Sequence, residues 1–162
     1  MKFAIFQEQT KLWPLIILRI GLGYLWLKAG WPKLFVMLEP GKMAMTLQGW
    51  LSDIPAHWYP WYQSILRVYV LPHANLFAYL VSFGEVAVGL GLILGCMTRG
   101  ALVAGIFMNI NYQLASGFKP GASGLINILF ILAQLVLLFS PSGRSLGIDS
   151  RLNQRYPRIP LW

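Results

Sequence analysis

Arg19 and Glu85 lie inside otherwise apolar runs, and of all the residues in this chain they are the best suited to chemistry. An ionisable side chain deep in an apolar environment is costly unless paired or wetted, so such residues mark functional sites or packing devices. Arginine offers a fork of N–H donors, and glutamate can accept a hydrogen bond or carry a proton. Asn109 and Gln134 are the amide-bearing counterparts in two further apolar runs.

A depth count connects the four. At a rise of about 1.5 Å per residue, Arg19 lies about 9 Å in from Trp13, and Glu85 about 15 Å in from Gly95. Asn109 lies about 14 Å in from Gly100 and Gln134 about 8 Å in from Phe139. The count predicts one polar layer, with an Arg19–Glu85 ion pair whose remaining donors and acceptors Asn109 and Gln134 satisfy. Such a pair can fix which helices meet. It can equally form a proton-linked site at mid-membrane, holding for example a quinone carbonyl through Arg19 or Asn109.

Spacing places these residues inward. Ala101, Gly105, Asn109 and Gln113 recur at steps of four, and Ala87, Gly91 and Gly95 form a small-residue series beside Glu85. Both faces invite a neighbouring helix. Arg19 and Trp26 are seven apart and align, whereas Lys28 points nearly the opposite way and can snorkel to the surface.

Weaker candidates remain. His57 and His73 stand among aromatics, where haem or chlorophyll ligation competes with an interface role. Cys96 lies beside Arg99 at a turn, where a reactive thiol competes with a small buried hydrophobe. No metal cluster, Gly-rich phosphate loop or Ser/His/Asp set is present in the sequence, and the lone cysteine excludes an intramolecular disulfide.

The elements that must position these groups are membrane helices. Of 162 residues, 57% are hydrophobic and 11% charged, against about a quarter charged in soluble domains. A span needs about 20 apolar residues. Four runs qualify, at about 12–30, 76–95, 100–116 and 125–140, in a single membrane domain covering 1–162 and ending in a polar tail, 141–162. Because the chain runs straight on into Trp-Pro-Lys, the first is read as a span rather than a cleaved leader.

The fold class is therefore all-α, an integral membrane four-helix bundle. Between its first two spans, residues 31–75 form a long aromatic connection. Met43, Leu47, Trp50 and Leu51, then Trp58, Trp61, Tyr62, Ile65 and Tyr69, predict two short amphipathic helices at the membrane surface, a cap for packing, substrate or partner.

A net charge of +8 would suggest nucleic acid in a soluble protein, but here it reads as topology and no nucleic-acid partner is expected. Lys2, Lys11, Arg99, Arg144, Arg151, Arg155 and Arg158 fall on one side. Lys33, Lys42, Arg67 and Lys119 are spread over longer loops on the other. The bias places both termini in the cytoplasm and the cap outside.

Two stretches, Arg19-Ile-Gly-Leu-Gly-Tyr-Leu-Trp-Leu-Lys-Ala-Gly-Trp-Pro-Lys33 and Gly84-Glu-Val-Ala-Val-Gly-Leu-Gly-Leu-Ile-Leu-Gly-Cys-Met-Thr-Arg99, resemble the DoxX family, including its DoxD branch. Asn109 and the Pro-Ser-Gly-Arg ending at Arg144 extend the likeness over most of the chain.

The resemblance implies a four-helix protein of the prokaryotic inner membrane. It also implies kinship with the membrane subunit of thiosulfate:quinone oxidoreductase, which passes electrons from thiosulfate to quinone. Arg19, Lys33, Glu85 and Arg99 would then be the family's polar positions, and Gly30 and Gly89 its close-packing ones. The expected role is a redox subunit with a quinone site at Arg19, Glu85, Asn109 and Gln134, the first two catalytic, with no metal or covalent cofactor and with other subunits as partners. The alternative is a non-catalytic accessory subunit of a respiratory or photosynthetic complex; an assembly factor or small-solute carrier is a third reading.

Overall fold

The computed structural model describes residues 13–55, 58–116, 122–140 and 147–156. Lys2, Lys11, His57, Lys119, Arg144 and Arg158, and the break expected at 117–121, lie outside the described residues. Among the described residues the regular structure is helical, with no strand.

The first helix, α1, covers Trp13–Val36 and passes through Pro32. It runs six residues beyond the end expected at 30. Local propensity reads Trp-Pro as a stop, but Gly30 is seated against the backbone of another helix and holds α1 in line. Lys33 thereby becomes a helical residue instead of a loop residue.

Gly41, at φ 83, turns the chain into α2, Lys42–Asp53, which buries Met43, Leu47 and Leu51 along one face. Helix α3, Pro60–Ile65, continues through a wide π turn at Leu66–Val70 and a tight turn at Leu71–His73 into α4, Ala74–Leu94. The second amphipathic segment is thus no separate surface helix, since Pro60–Leu94 forms one 35-residue rod. A proline ring crowds the carbonyl four residues earlier, and the widened turn ahead of Pro72 makes room for it.

That rod is long and apolar enough to cross a membrane, the one such helix among the described residues. At about 1.5 Å per residue it reaches about 52 Å, well past a hydrocarbon core of about 30 Å.

Gly95, in the left-handed conformation, ends α4, and α5 follows at Thr98–Ser116, then α6 at Ala122–Leu138 and α7 at Ile148–Arg155. α4 packs on α1 and α5, and α6 packs on α5 and α1. The α1–α4 crossing is glycine-lined. A Cβ on Gly89 would stand 2.8 Å from the Leu27 backbone nitrogen, and one on Gly30 would stand 2.7 Å from the Glu85 Cβ. These contacts set the register: Gly23 opposes Gly89 and Ile93, while Gly30 opposes Glu85 and Val86.

Each of these four helices sends one leucine to the same cluster: Leu22, Leu92, Leu102 and Leu137. Elsewhere the usual polarity is reversed. Ile17, Phe83, Phe107 and Leu129 are exposed, while Arg19, Ser82, Glu85, Asn109, Gln113 and Gln134 are buried. Apolar outside and polar inside suits a lipid surround better than water.

Candidate functional site

Glu85 is 1% exposed and carries two short bonds on one oxygen. Lys33 Nζ donates to Oε1 at 2.5 Å, and the Tyr112 hydroxyl donates to the same atom at 2.5 Å. Lys33 also stands 5.3 Å from the centre of the Tyr112 ring, within cation–π range. Three helices therefore meet at one carboxylate.

Backbone geometry explains how Lys33 arrives. Helical side chains lean toward the N-terminus of their own helix. Lys33, one turn beyond Gly30, so leans back to the level where Gly30 touches Glu85. Gly30 keeps α1 close enough for the reach. Lys33 remains partly open to the surface, with its side chain 31% exposed.

Arg19 does not pair with Glu85. The expected Arg19–Glu85 pair assumed that depth counted from the ends of the apolar runs gives the register. Glycine contacts set it instead: Arg19, one turn before Gly23, lies level with the end of α4. The carboxylate acting on Arg19 there is Asp149. Asp149 is fully buried and accepts from the backbone N–H groups of Met97 and Thr98, at 2.7 and 2.8 Å, capping α5 from the far end of the sequence. Its own N–H donates to the Gly95 carbonyl at 2.8 Å.

The predicted single layer is thus two polar sites separated by the leucines. On α1 the order is Arg19, Leu22, Trp26, Gly30, Lys33; on α5 it is Thr98, Leu102, Gly105, Asn109, Tyr112. Asn109 and Gln134 lie on the Glu85 side. Gln134 sits over Gly105, where a Cβ would be 3.0 Å from its Oε1.

Beside this carboxylate is an apolar cavity of about 250 Å³. Its walls come from α2 (Met43, Leu47, Trp50), α3 and the turn after it (Tyr62, Leu66, Val70), α4 (Phe77, Leu80, Val81) and α5 (Phe107, Met108, Asn111, Tyr112, Ala115). Leu80 and Phe107 are also exposed, which gives the cavity a lateral opening on the apolar surface. On the wall, the Tyr62 hydroxyl donates to Asn111 Oδ1 at 3.0 Å. Tyr112 alone is shared between cavity and carboxylate among these bonded groups.

Residues 13–160 match the family described as TQO small subunit DoxD. The chain belongs to the DoxD family. That makes this DoxD protein a membrane subunit of a thiosulfate:quinone oxidoreductase-like complex, with other subunits as partners. Comparison with curated proteins and with solved structures gave no match.

Of the site residues expected from sequence, the DoxD structure brings Glu85 to a centre and sets Asn109 and Gln134 in the same polar interior. It removes Arg19 to the other side. The sequence reading missed Tyr112 and Asp149, and it misplaced Lys33. The signal for Lys33 was present: Arg19, Trp26 and Lys33 recur at steps of seven, which mattered once α1 ran through Pro32. Among the described residues no set of His, Cys, Asp and Glu could hold a metal ion. Cys96 is a free, half-buried thiol, and His73 Nδ1 lies 3.0 Å from the Tyr69 carbonyl oxygen.

Proposed function

We propose that this DoxD chain is the quinone-binding subunit of its complex, spanning a prokaryotic inner membrane as a four-helix bundle of α1, α4, α5 and α6 with both termini cytoplasmic. One observation carries the reading: Tyr112 forms part of the cavity wall and also bonds Glu85. The cavity fits an apolar ring. It is lined by aromatic, Leu and Met side chains, it opens sideways where lipid would lie, and it has a phenol at its polar edge.

A bound quinone supplies a two-electron, two-proton acceptor. The chain's own residues bind and protonate. Leu80 and Phe107 frame the entrance, and Met43, Leu47 and Phe77 would pack against a bound ring. The Tyr112 hydroxyl, which donates to Glu85 when no ring is bound, would donate to a carbonyl oxygen. When Glu85 is protonated it donates to Tyr112 in turn, and the phenol hydrogen is released toward the cavity. Lys33 balances the Glu85 charge when the proton has left. Asn109 and Gln134 supply polar lining behind Glu85, and Arg19 serves the tail. Electrons from a small reduced-sulfur donor arrive through partner subunits, in keeping with the family's description as a small subunit.

Tyr112→Phe and Glu85→Gln test this in the complex purified with its partners. Quinone should still bind, and thiosulfate-driven quinol formation should fall. Unchanged turnover in both variants would sink the proposal and leave the accessory-subunit reading.

A further inference from the structure

The interior around Glu85 holds more polar atoms than it has bonds for. Trp26 Nε1, Ser82 Oγ, Glu85 Oε2, Asn109 Nδ2 and both amide atoms of Gln113 and Gln134 are buried without a hydrogen-bond partner. Kept dry, these eight atoms would together cost on the order of the whole stability of an ordinary domain. In folded proteins such groups are satisfied by bound water, each water needing two to four polar partners.

Their placement is ordered. Ser82 and Glu85 are a turn apart on α4, Asn109 and Gln113 a turn apart on α5, and Gln134 lies over Gly105, one turn from Asn109. Trp26 meets Phe130, one turn before Gln134, at 6.1 Å. At one end stands Lys33, partly exposed; at the other stands the cluster of Leu22, Leu92, Leu102 and Leu137.

We propose that Trp26, Ser82, Glu85, Asn109, Gln113 and Gln134 enclose a bound-water compartment that opens past Lys33 and ends blind at the four leucines. Glu85 therefore exchanges protons with one membrane face only, the face of Lys33 and α2. The compartment does not depend on what fills the apolar cavity; its consequence, that protons for a reduced quinone are drawn from that face, rests on the reading above.

Two readouts independent of turnover test it. In the purified complex, radiolytic hydroxyl-radical footprinting should oxidise buried Trp26 through adjacent water, and protection of Trp26 like that of a dry core residue overturns the compartment. In proteoliposomes carrying a potassium diffusion potential and an entrapped pH dye, the wild-type protein should be proton-tight, whereas Leu102→Ser should leak. Adding Asn109→Leu to that variant should abolish the leak by breaking the water file. A leaking wild type or a tight, folded Leu102→Ser overturns the blind end. The footprint needs no variant and does not depend on Leu102→Ser folding. Quinone binding, titrated separately, reports on the cavity alone.

Discussion

Lys33 Nζ and Glu85 Oε1 lie 2.5 Å apart across the α1–α4 contact, joining residues 52 apart in sequence. Removing one partner of a buried pair leaves the other charge uncompensated, at about 3–5 kcal/mol. Lys33→Met should cost about the lower end of that range, because Lys33 is partly hydrated. Thermal unfolding in mild detergent measures it, with Lys33→Arg recovering part of the loss. A Lys33→Met protein as stable as wild type would show that the pair carries no net stability.

Tyr112→Phe keeps the ring over Lys33 and the cavity wall while deleting one bond to Glu85. Loss of that bond should change stability by about 1–3 kcal/mol. Quinol formation should drop roughly a hundredfold or more if the phenol is the proton donor. Rapid-mixing absorbance of the quinone pool reports the rate, and a drop no larger than the stability loss explains would argue against proton donation.

Gly89→Ala and Gly49→Ala should have opposite signs. At Gly89 the new Cβ meets backbone atoms of Leu27 and Gly23 at 2.8 and 2.9 Å, which cannot move aside singly. The cost should be about 1–3 kcal/mol. Gly49, on α2, has nothing within 4 Å, so alanine there should stabilise by roughly 0.5–1 kcal/mol through helix propensity. Equal melting temperatures for the two variants would contradict the glycine-set register.

Asp149→Ala should free the tail. It deletes both bonds to the start of α5, where Met97 holds a left-handed φ of 50, and it removes the charge acting on Arg19. About 1–3 kcal/mol of local stability should vanish. Hydrogen exchange should rise at residues 96–99 and 147–155 while α1 and α4 keep their protection. Unchanged exchange at 147–155 would mean that the tail is held by something else.

Orientation is checked with thiols. Cys96, half-buried at the α4–α5 turn, should react with an impermeant maleimide only from the cytoplasmic side. Met45→Cys in a Cys96→Ser background should react only from outside, because Met45 is exposed on α2. Labelling of both from one side would reverse or break the proposed topology.

Much of the helical framework could be read from the chain, since apolar runs bounded by glycine and basic residues have few other uses. Met43, Leu47 and Leu51 even show which face of α2 is buried. The sequence misled at prolines. The first span was expected to end at 30 and the second to begin at 76, yet Pro32 sits in a helix clamped by Gly30 and Pro72 follows a widened turn in a continuous rod. Local propensity lost to packing at both places.

The residue types alone determined that this chain is helical, that its surface is apolar, and that a few polar groups, Glu85 foremost, must be buried. They also carried the DoxD resemblance that the family match bears out. Which charges meet was decided only by tertiary structure. A one-turn change in register moves a side chain about 5.4 Å along its neighbour, enough to exchange one partner for another. Glycine contacts between α1 and α4 fixed that register. They gave Glu85 to Lys33 and carried Arg19 to the end of α4, where the charge of Asp149 acts on it, while α5 brought Tyr112 to the same carboxylate.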